Sequence, residues 1–181
     1  SIFVNPLQFE DKDDLAKYPH TPELDEELAR EAGATILWRP EYNAIYPDSI
    51  VKLSAGELGR KFEGVHRPGH FDGVLTVVNR LFELVQPRYA IFGEKDFQQL
   101  FLITKMAEEL HPEIEIVPAP TIRELSGLAM SSRNVRLDDD ARVAADVISR
   151  VLRSAADAAN VEAARSALQK ISAEHRFTLD Y

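Results

Sequence analysis

Gly93-Glu94-Lys95-Asp96-Phe97-Gln98-Gln99 separates an apolar segment, Tyr89-Ala90-Ile91-Phe92, from a run of residues with helical periodicity. This order predicts a buried strand that passes through a short turn into a helix over residues 97–110. In open α/β sheets, ligands bind outside the carboxyl ends of the strands. The free N–H groups of a helix N-terminus beside the ammonium of Lys95 would attract an anion. The stretch therefore predicts an α/β fold with an anion site at this turn.

Apolar strands and amphipathic helices alternate through the first two thirds of the chain, which favours a parallel sheet with crossover helices. A broad apolar face is predicted for helix 97–110, made up of Phe97, Leu100, Phe101, Ile103, Met106 and Leu110. The predicted strands are 1–4, 35–38, 89–92 and 114–117, and the predicted helices between them are 22–32, 71–85 and 97–110.

The character of the sequence changes after Pro118-Ala119-Pro120, where a Ser-rich segment leads into alanine-rich helical patterns. We expect a main domain over residues 1–120 and a smaller α+β lid domain over residues 121–181. The chain starts on an apolar segment without methionine and stops on another, so both domains are expected to be incomplete in it. The elements predicted for the second domain are helices over 138–159 and 161–174 and a strand over 177–181.

Composition excludes several classes of protein. No cysteine is present, so disulfides and thiolate sites are excluded. No apolar run approaches the roughly 20 residues that span a bilayer, and the net charge of -9 argues against a nucleic-acid surface. We therefore expect no membrane or nucleic-acid partner, and any phosphate must be bound by a few local cations.

Two loop segments of the first domain carry polar groups beside apolar strands. Asn5 and Gln8 flank Pro6, which ends the first predicted strand, and the Gln8 carboxamide suits a substrate with a hydroxyl and a carboxylate. The alternative is a loop amide that bonds local backbone. Further along, Arg67 offers a planar fork for an anion. His70 and its neighbour His66 suggest a metal site but lack a third ligand at zinc spacing, so local hydrogen bonding is the default interpretation.

A third polar segment, Gly127-Leu128-Ala129-Met130-Ser131-Ser132-Arg133-Asn134, places two hydroxyls before a guanidinium. Such donors can hold a triphosphate without a glycine-rich loop, although the same residues occur in ordinary turns. Neither a P-loop nor a G-x-G-x-x-G pattern is present. The run Asp138-Asp139-Asp140 could bind magnesium, but acidic residues at a predicted helix start favour the capping interpretation.

Five segments together resemble the pantothenate synthetase (pantoate–β-alanine ligase) family in order and spacing. They are Ser1-Ile2-Phe3-Val4-Asn5-Pro6-Leu7-Gln8-Phe9, Tyr18-Pro19-His20-Thr21, Arg67-Pro68-Gly69-His70-Phe71, Phe92 to Gln99 and Gly127 to Asn134. The resemblance implies a Rossmann-like fold of the nucleotidyltransferase superfamily. It also implies condensation of pantoate with β-alanine at the expense of ATP, through a pantoyl adenylate. A cytoplasmic homodimer that uses Mg²⁺ is implied as well.

The resemblance also assigns roles to residues. Gln8 and Gln99 match the glutamines that hold pantoate, Gln8 also meeting β-alanine, and Asn5, Arg67 and His70 are further candidates. Lys95, Ser131, Ser132 and Arg133 are the implied catalytic residues, which neutralise charge on phosphate, and closure of the segment from Met130 would shield the adenylate from water. No metal ligand is identified. The implied ATP-binding residues are Gly93, Glu94, Lys95, Asp96, Ile122, Met130, Ser131, Ser132 and Arg133.

The chain also departs from the family pattern. The family's His-x-Gly-His motif belongs before the strand with which this chain begins, so we expect the chain alone to lack a catalytic element. Ser126 stands where aspartate is usual, and Val135-Arg136 replaces a small or polar residue followed by tyrosine. Two alternatives stay open: a noncatalytic folding or association fragment of that enzyme, and a related cytidylyltransferase. A preference for CTP over ATP would indicate the cytidylyltransferase rather than a pantothenate synthetase.

Overall fold

Two parallel strands, β1 (Tyr89–Gly93) and β2 (Glu115–Ala119), form the sheet within the described residues. Their register pairs Tyr89 with Glu115 and Gly93 with Ala119, so the carboxyl ends of both strands lie at one edge. A helix over Phe97–Leu110 connects them, as a parallel pair requires. The predicted α/β class with a parallel sheet is confirmed.

This computed structural model describes residues 1–9, 12–48 and 50–174. The chain divides into two compact units, Ser1–Ala119 and Pro120–Tyr181. The α-helices within the described residues are α1 (Lys12–Ala16), α2 (Pro22–Glu31), α3 (Tyr42–Ile45), α4 (Glu63–His66), α5 (His70–Val85), α6 (Phe97–Leu110), α7 (Asp139–Ala156) and α8 (Val161–Glu174).

The core of the first unit is built around α5, which is buried on most of its circumference between His70 and Asn79. This helix packs against α3, α6 and a 3₁₀ turn at Pro6–Gln8. Ile45 and Ile103 are fully buried in the same cluster. From β1, Ala90 and Phe92 pack against it, whereas Tyr89 and Ile91, on the opposite face, are 48% and 70% exposed. The prediction that this strand is buried is therefore wrong, because only one of its faces meets the core.

In the second unit, α7 packs against α8. Asp138 caps α7, since its carboxylate accepts a hydrogen bond of 2.8 Å from the Ala141 N–H. The capping interpretation of the 138–140 run is therefore confirmed. Among the described residues, no helix combines the length and apolar character needed to cross a membrane.

The helix predictions agree with the structure to within a few residues at each end. The bounds predicted for α6 and α8 match, α5 begins one residue early, and α2 and α7 end before their predicted limits. The predicted apolar face of α6 is too broad: Leu100, Ile103 and Met106 are buried, but Phe97, Phe101 and Leu110 are 70%, 39% and 51% exposed. Phe97 is the first residue of α6, where a side chain has no preceding turn to pack upon.

Two of the strand predictions are wrong. Segments 1–4 and 35–38 contain no assigned strand, although the Ile2 N–H donates to the Trp38 carbonyl at 2.9 Å. A strand is defined by a ladder of such bonds, and among the described residues this one does not extend into a ladder. Apolar composition alone does not supply a partner strand. The strand predicted over 177–181 lies outside the described residues.

Gly73 of α5 is the point where the helix meets the Pro6–Gln8 turn. A Cβ at this position would collide with the Leu7 carbonyl oxygen and would lie 2.8 Å from the Gln8 nitrogen. Both are backbone atoms, so they can move away only if the turn moves. Glycine at this position therefore lets α5 approach the turn that carries Gln8.

We expect Gly73→Ala to destabilise the chain. Helix propensity alone would make alanine more stable by about 1 kcal/mol, whereas the backbone collision costs about 1–3 kcal/mol or more. Urea unfolding of both chains measures the balance. Gly93→Ala is the matched control, because that glycine has open space around its missing Cβ and a φ of -73°. A Gly73→Ala chain as stable as the wild type would contradict this packing.

Candidate functional site

The buried carboxamide of Asn5 organises the first polar group of the site. It is 2% exposed and makes four hydrogen bonds. Its Nδ2 donates to Gln8 Oε1 at 3.2 Å and to the Gly73 carbonyl at 3.1 Å. Its Oδ1 accepts from the Leu7 N–H at 3.2 Å and from the Tyr46 hydroxyl at 2.7 Å. Asn5 is thus fully bonded within the protein and anchors the turn that carries Gln8.

His70, the first residue of α5, binds the same turn from the other side. Its Nδ1 lies 2.8 Å from the Gln8 carbonyl oxygen, and Nη2 of Arg67 lies 3.5 Å from that oxygen. A carbonyl only accepts, so Nδ1 carries the proton and Nε2 is an acceptor. The default prediction of hydrogen bonding for His70 is confirmed. We call Asn5, Gln8, Tyr46, His70 and Gly73 the Asn5 cluster.

Burial lowers the pKa of His70 below its ordinary value of 6.5. The positive charge of Arg67 acts in the same direction, while the bond to the Gln8 carbonyl and the carboxylates of Glu63 and Asp96 oppose the shift. The net direction is downward, because the imidazole is only 8% exposed. His70 is therefore neutral at pH 7.

The 93–99 turn leaves β1 at Gly93 and forms a 3₁₀ turn over Glu94–Asp96 before α6 begins. Lys95 Nζ pairs with Asp96 Oδ1 at 3.2 Å, and both side chains are exposed. An exposed pair of this kind contributes little to stability. The ammonium is therefore accessible to an anionic ligand that competes with Asp96.

The two glutamines of α6 differ in what they contact. Gln98 Nε2 donates at 2.8 Å to the carbonyls of both Leu58 and Lys61, so it ties the start of α6 to the neighbouring 3₁₀ turn. Gln99 is half-buried in the first turn of α6. Its side chain has no hydrogen-bond partner among the residues that the structure describes. Of the two, Gln99 is the one whose carboxamide can turn to a ligand.

The second unit carries the loop of Met130, Ser131, Ser132 and Arg133. An antiparallel bridge between Arg123 and Ala129 precedes it, and the Met130 N–H donates to the Ile122 carbonyl at 2.9 Å. Ser131 Oγ accepts from the Arg133 N–H at 3.2 Å at the start of a 3₁₀ turn. That bond uses a lone pair of the hydroxyl and leaves its proton available to a phosphate oxygen.

Glu124 braces this loop. Its Oε1 accepts from Asn134 Nδ2 at 3.0 Å, and its Oε2 accepts from Arg142 Nη1 at 2.8 Å. Asn134 Nδ2 also donates to the Ala129 carbonyl, and Arg142 Nη2 donates to the Asn134 carbonyl. The two ends of the loop are therefore joined to each other and to α7.

The structure brings Asn5, Gln8, Arg67 and His70 together. Of the 93–99 turn, the Asp96 carboxylate acts on the pKa of His70, which it raises slightly. Each unit carries part of the predicted ATP site, with 93–96 in the first and 122 and 130–133 in the second. The roles of all these residues stay predictions.

Sequence reasoning missed four residues that hold the site. Gly73 could have been found, because an isolated glycine within a helical pattern indicates close packing. Gln98 and Glu124 lie in segments that the sequence did single out, one in the 93–99 turn and the other in the Ser-rich segment. Tyr46 gave no local signal, since its partner Asn5 is 41 residues away.

The described residues contain no group of three or more His, Asp or Glu side chains placed to hold a metal ion. This includes His66, His70 and the 138–140 run. The side chains of the described part of the chain therefore do not form a metal centre by themselves.

Comparison with known proteins gives consistent results. The family model for pantoate-beta-alanine ligase matches residues 1–181. The pantothenate synthetase of Bdellovibrio bacteriovorus is 48% identical over 92% of this chain and 67% of its own length. That of Aquifex aeolicus is 50% identical over 80% of this chain and 52% of its own length. The chain thus spans about half to two thirds of the length of these relatives.

Solved structures agree with the sequence relatives. A pantothenate synthetase from Thermus thermophilus matches with a TM-score of 0.89 and 43% identity, over 96% of this chain and 65% of that one. The pantoate-beta-alanine ligase of Francisella tularensis, solved in complex with beta-gamma ATP and beta-alanine, matches with a TM-score of 0.81 and 35% identity. The match covers 95% of this chain and 65% of the Francisella tularensis chain.

We expect His70 to make stability depend on pH. The folded chain has the lower pKa, so between that value and 6.5 the unfolded chain binds more protons. The free energy of unfolding should therefore rise with pH through this window, by at most about 1.4 kcal/mol per pH unit, and level off above it.

His70→Asn keeps a donor near the position of Nδ1 but does not titrate, so its stability should lack this component. Urea unfolding of both chains from pH 5 to 8 measures the difference. Parallel curves for the two chains would show that the His70 pKa is not lowered by folding.

We expect Glu124→Ala to loosen the 130–133 loop. The change removes one acceptor from Asn134 and one from Arg142, and because the pair is half-exposed the stability cost should be only about 1 kcal/mol. Hydrogen exchange at the Met130 amide should accelerate, while α5 amides stay protected. Glu162→Ala, at an exposed position in the first turn of α8, is the control. Unchanged exchange at Met130 would show that Glu124 does not brace the loop.

Proposed function

Because this chain belongs to the pantoate-beta-alanine ligase family, we propose that it binds pantoate, β-alanine and ATP and serves their condensation to pantothenate. Pantoyl adenylate is the proposed intermediate, and AMP and pyrophosphate are the other products. The observation that carries this proposal is the family match over residues 1–181, with polar motifs assembled around Gln8 and the 93–99 turn. The β1–α6–β2 unit supports the finer assignment to a Rossmann-like nucleotidyltransferase fold.

The Asn5 cluster is the proposed pantoate site. Gln8 is half-buried at its edge, with its Oε1 bonded to Asn5 and its Nε2 unpaired among the described residues. Gln99 supplies a second carboxamide from α6, and Gln8 also meets β-alanine. Carboxamides suit this ligand because pantoate presents both hydroxyl groups and a carboxylate.

Lys95 is the proposed phosphate contact of the first unit, together with backbone and side-chain groups of Gly93, Glu94 and Asp96. A phosphate carries more charge than the Asp96 carboxylate and would compete for the exposed ammonium. In the second unit, the loop of Met130 to Arg133 offers two hydroxyls and a guanidinium, and Ile122 precedes it. We assign this unit the role of a lid over the nucleotide.

The first proposed step forms a bond between a pantoate carboxylate oxygen and the α-phosphorus of ATP and expels pyrophosphate. The residues contribute alignment and charge neutralisation: Gln8 and Gln99 hold the carboxylate, while Lys95, Ser131, Ser132 and Arg133 face the phosphates. In the second step the amine of β-alanine attacks the acyl carbon, AMP leaves with the bonding pair, and the amine loses a proton. A closed 130–133 loop would keep water from the mixed anhydride.

The resemblance to the family implies that Mg²⁺ takes part in this reaction. The described residues do not form a metal centre of their own. A magnesium ion would therefore have to be bound largely by phosphate oxygens, and no step above depends on it.

Titration calorimetry tests the proposed function directly. The 181-residue chain should bind pantoate and ATP saturably, and CTP should not replace ATP. With the full-length protein, a separate assay of pyrophosphate release should show a requirement for pantoate as well as ATP. Absence of binding for both pantoate and ATP would favour the noncatalytic fragment, and preference for CTP would favour a cytidylyltransferase.

In the full-length protein, we expect Lys95→Ala to lower pantoate-dependent pyrophosphate release by about 100-fold, because a preorganised donor to developing phosphate charge is removed. Lys105→Ala is the matched control: Lys105 lies on the helix that follows, is exposed, and packs over the Phe101 ring. Its rate should stay within about twofold of the wild type, since it contacts no predicted site residue. A near-normal rate for Lys95→Ala would remove Lys95 from the mechanism.

A further inference from the structure

Two backbone groups fix the orientation of the Asn5 carboxamide. The Gly73 carbonyl can only accept a hydrogen bond, so it must face Nδ2, and the Leu7 N–H can only donate, so it must face Oδ1. Because Asn5 is 2% exposed, water cannot replace either partner. The reversed orientation would set donor against donor and acceptor against acceptor.

The orientation of Asn5 determines that of Gln8. The second N–H of Asn5 points at the Gln8 carboxamide at 3.2 Å and needs an acceptor there, so Oε1 of Gln8 faces Asn5. The nitrogen of the same carboxamide then faces away from Asn5. Gln8 therefore offers its two N–H donors to a ligand, while its Oε1 is bonded to Asn5.

Tyr46 completes the constraint on Asn5. Its hydroxyl is 2.7 Å from Asn5 Oδ1 and its side chain is 5% exposed. Burial raises the pKa of Tyr46 far above its ordinary value, so the phenol keeps its proton and donates it. The rings of Phe3 and Tyr42 pack against the phenol and hold it in place.

We propose that Tyr46 is a positioning residue for substrate recognition, which acts through Asn5 to keep the N–H donors of Gln8 facing the ligand. The inference rests on the proposed role of Gln8 as a pantoate-binding residue. It adds the chemistry that this position selects: an acceptor oxygen, and a carboxylate in preference to the corresponding carboxamide. Tyr46 itself touches no substrate.

Tyr46→Phe tests this with the removal of one oxygen. The dissociation constant for pantoate should rise about 3- to 10-fold, the range expected for one neutral hydrogen bond. The ATP dissociation constant should change less than about twofold, and preference for pantoate over its amide analogue should fall. Tyr42→Phe is the matched control, because Tyr42 is an exposed neighbour without a bond to Asn5. Its two dissociation constants and its preference for pantoate over the amide should equal those of the wild type.

Pantoate binding that is unchanged in Tyr46→Phe would overturn the proposal. Equal losses of pantoate and ATP affinity would also overturn it, because they would indicate a general structural role. Gln8→Glu gives a second variant of the same shape whose outward group only accepts. It should bind pantoate more weakly than Tyr46→Phe does, and wild-type affinity would show that the donors of Gln8 do not face the ligand.

A third measurement needs neither a ligand nor a variant. In the ¹⁵N-labelled chain, both side-chain amide protons of Asn5 should exchange slowly with water and those of Gln8 rapidly. The opposite order would overturn the assigned orientation even if the variants failed to fold. A wild-type chain that binds neither pantoate nor ATP would contradict the proposed function instead, and the exchange rates would then judge the orientation of Gln8 separately.

Discussion

The hydrogen bonds of one buried side chain, Asn5, hold together parts of the chain that lie far apart in sequence. Gly73 is 68 residues from Asn5 and Tyr46 is 41 residues away, yet both bond its carboxamide. Loss of an acceptor of Asn5 Nδ2 would leave a buried N–H unsatisfied, which costs about 1–3 kcal/mol. The close approach of α5 at Gly73 and the bond from His70 to the Gln8 carbonyl depend on the same turn.

The buried side chains around Asn5 support the site, whereas the exposed ones are those proposed to bind substrates. Asn5, Tyr46 and Gly73 are buried and satisfied within the protein. The side chains proposed to meet substrates, such as Lys95 and Gln8, are wholly or partly exposed. This division suits a reaction that depends on alignment of the substrates and neutralisation of phosphate charge. A rigid support limits the conformational freedom of the groups that bind the ligand. The 130–133 loop has its own support in Glu124, Asn134 and Arg142.

The sequence predicted local structure well and long-range structure poorly. Helical periodicity located α6 and α8 correctly, and apolar runs between turn residues located β1 and β2 to within two residues at each end. Segments 1–4 and 35–38 share the composition of strands but lack a ladder, which composition cannot supply. The turn motif identified Gln8 as a candidate site residue. Its orientation depends on Asn5, whose bonds to Gly73 and Tyr46 span distances in sequence that no local pattern encodes.

The proposed pantoate site requires Gln8, held by the Asn5 cluster, to present its N–H donors to the carboxylate of the substrate. Titration of pantoate into the ¹⁵N-labelled chain, observed through side-chain amide resonances, measures whether it does. The Gln8 NH₂ signals should shift with pantoate in a saturable way, while those of Asn5, whose partners lie within the protein, should stay nearly constant. Saturable pantoate binding that leaves the Gln8 signals unmoved would contradict the account.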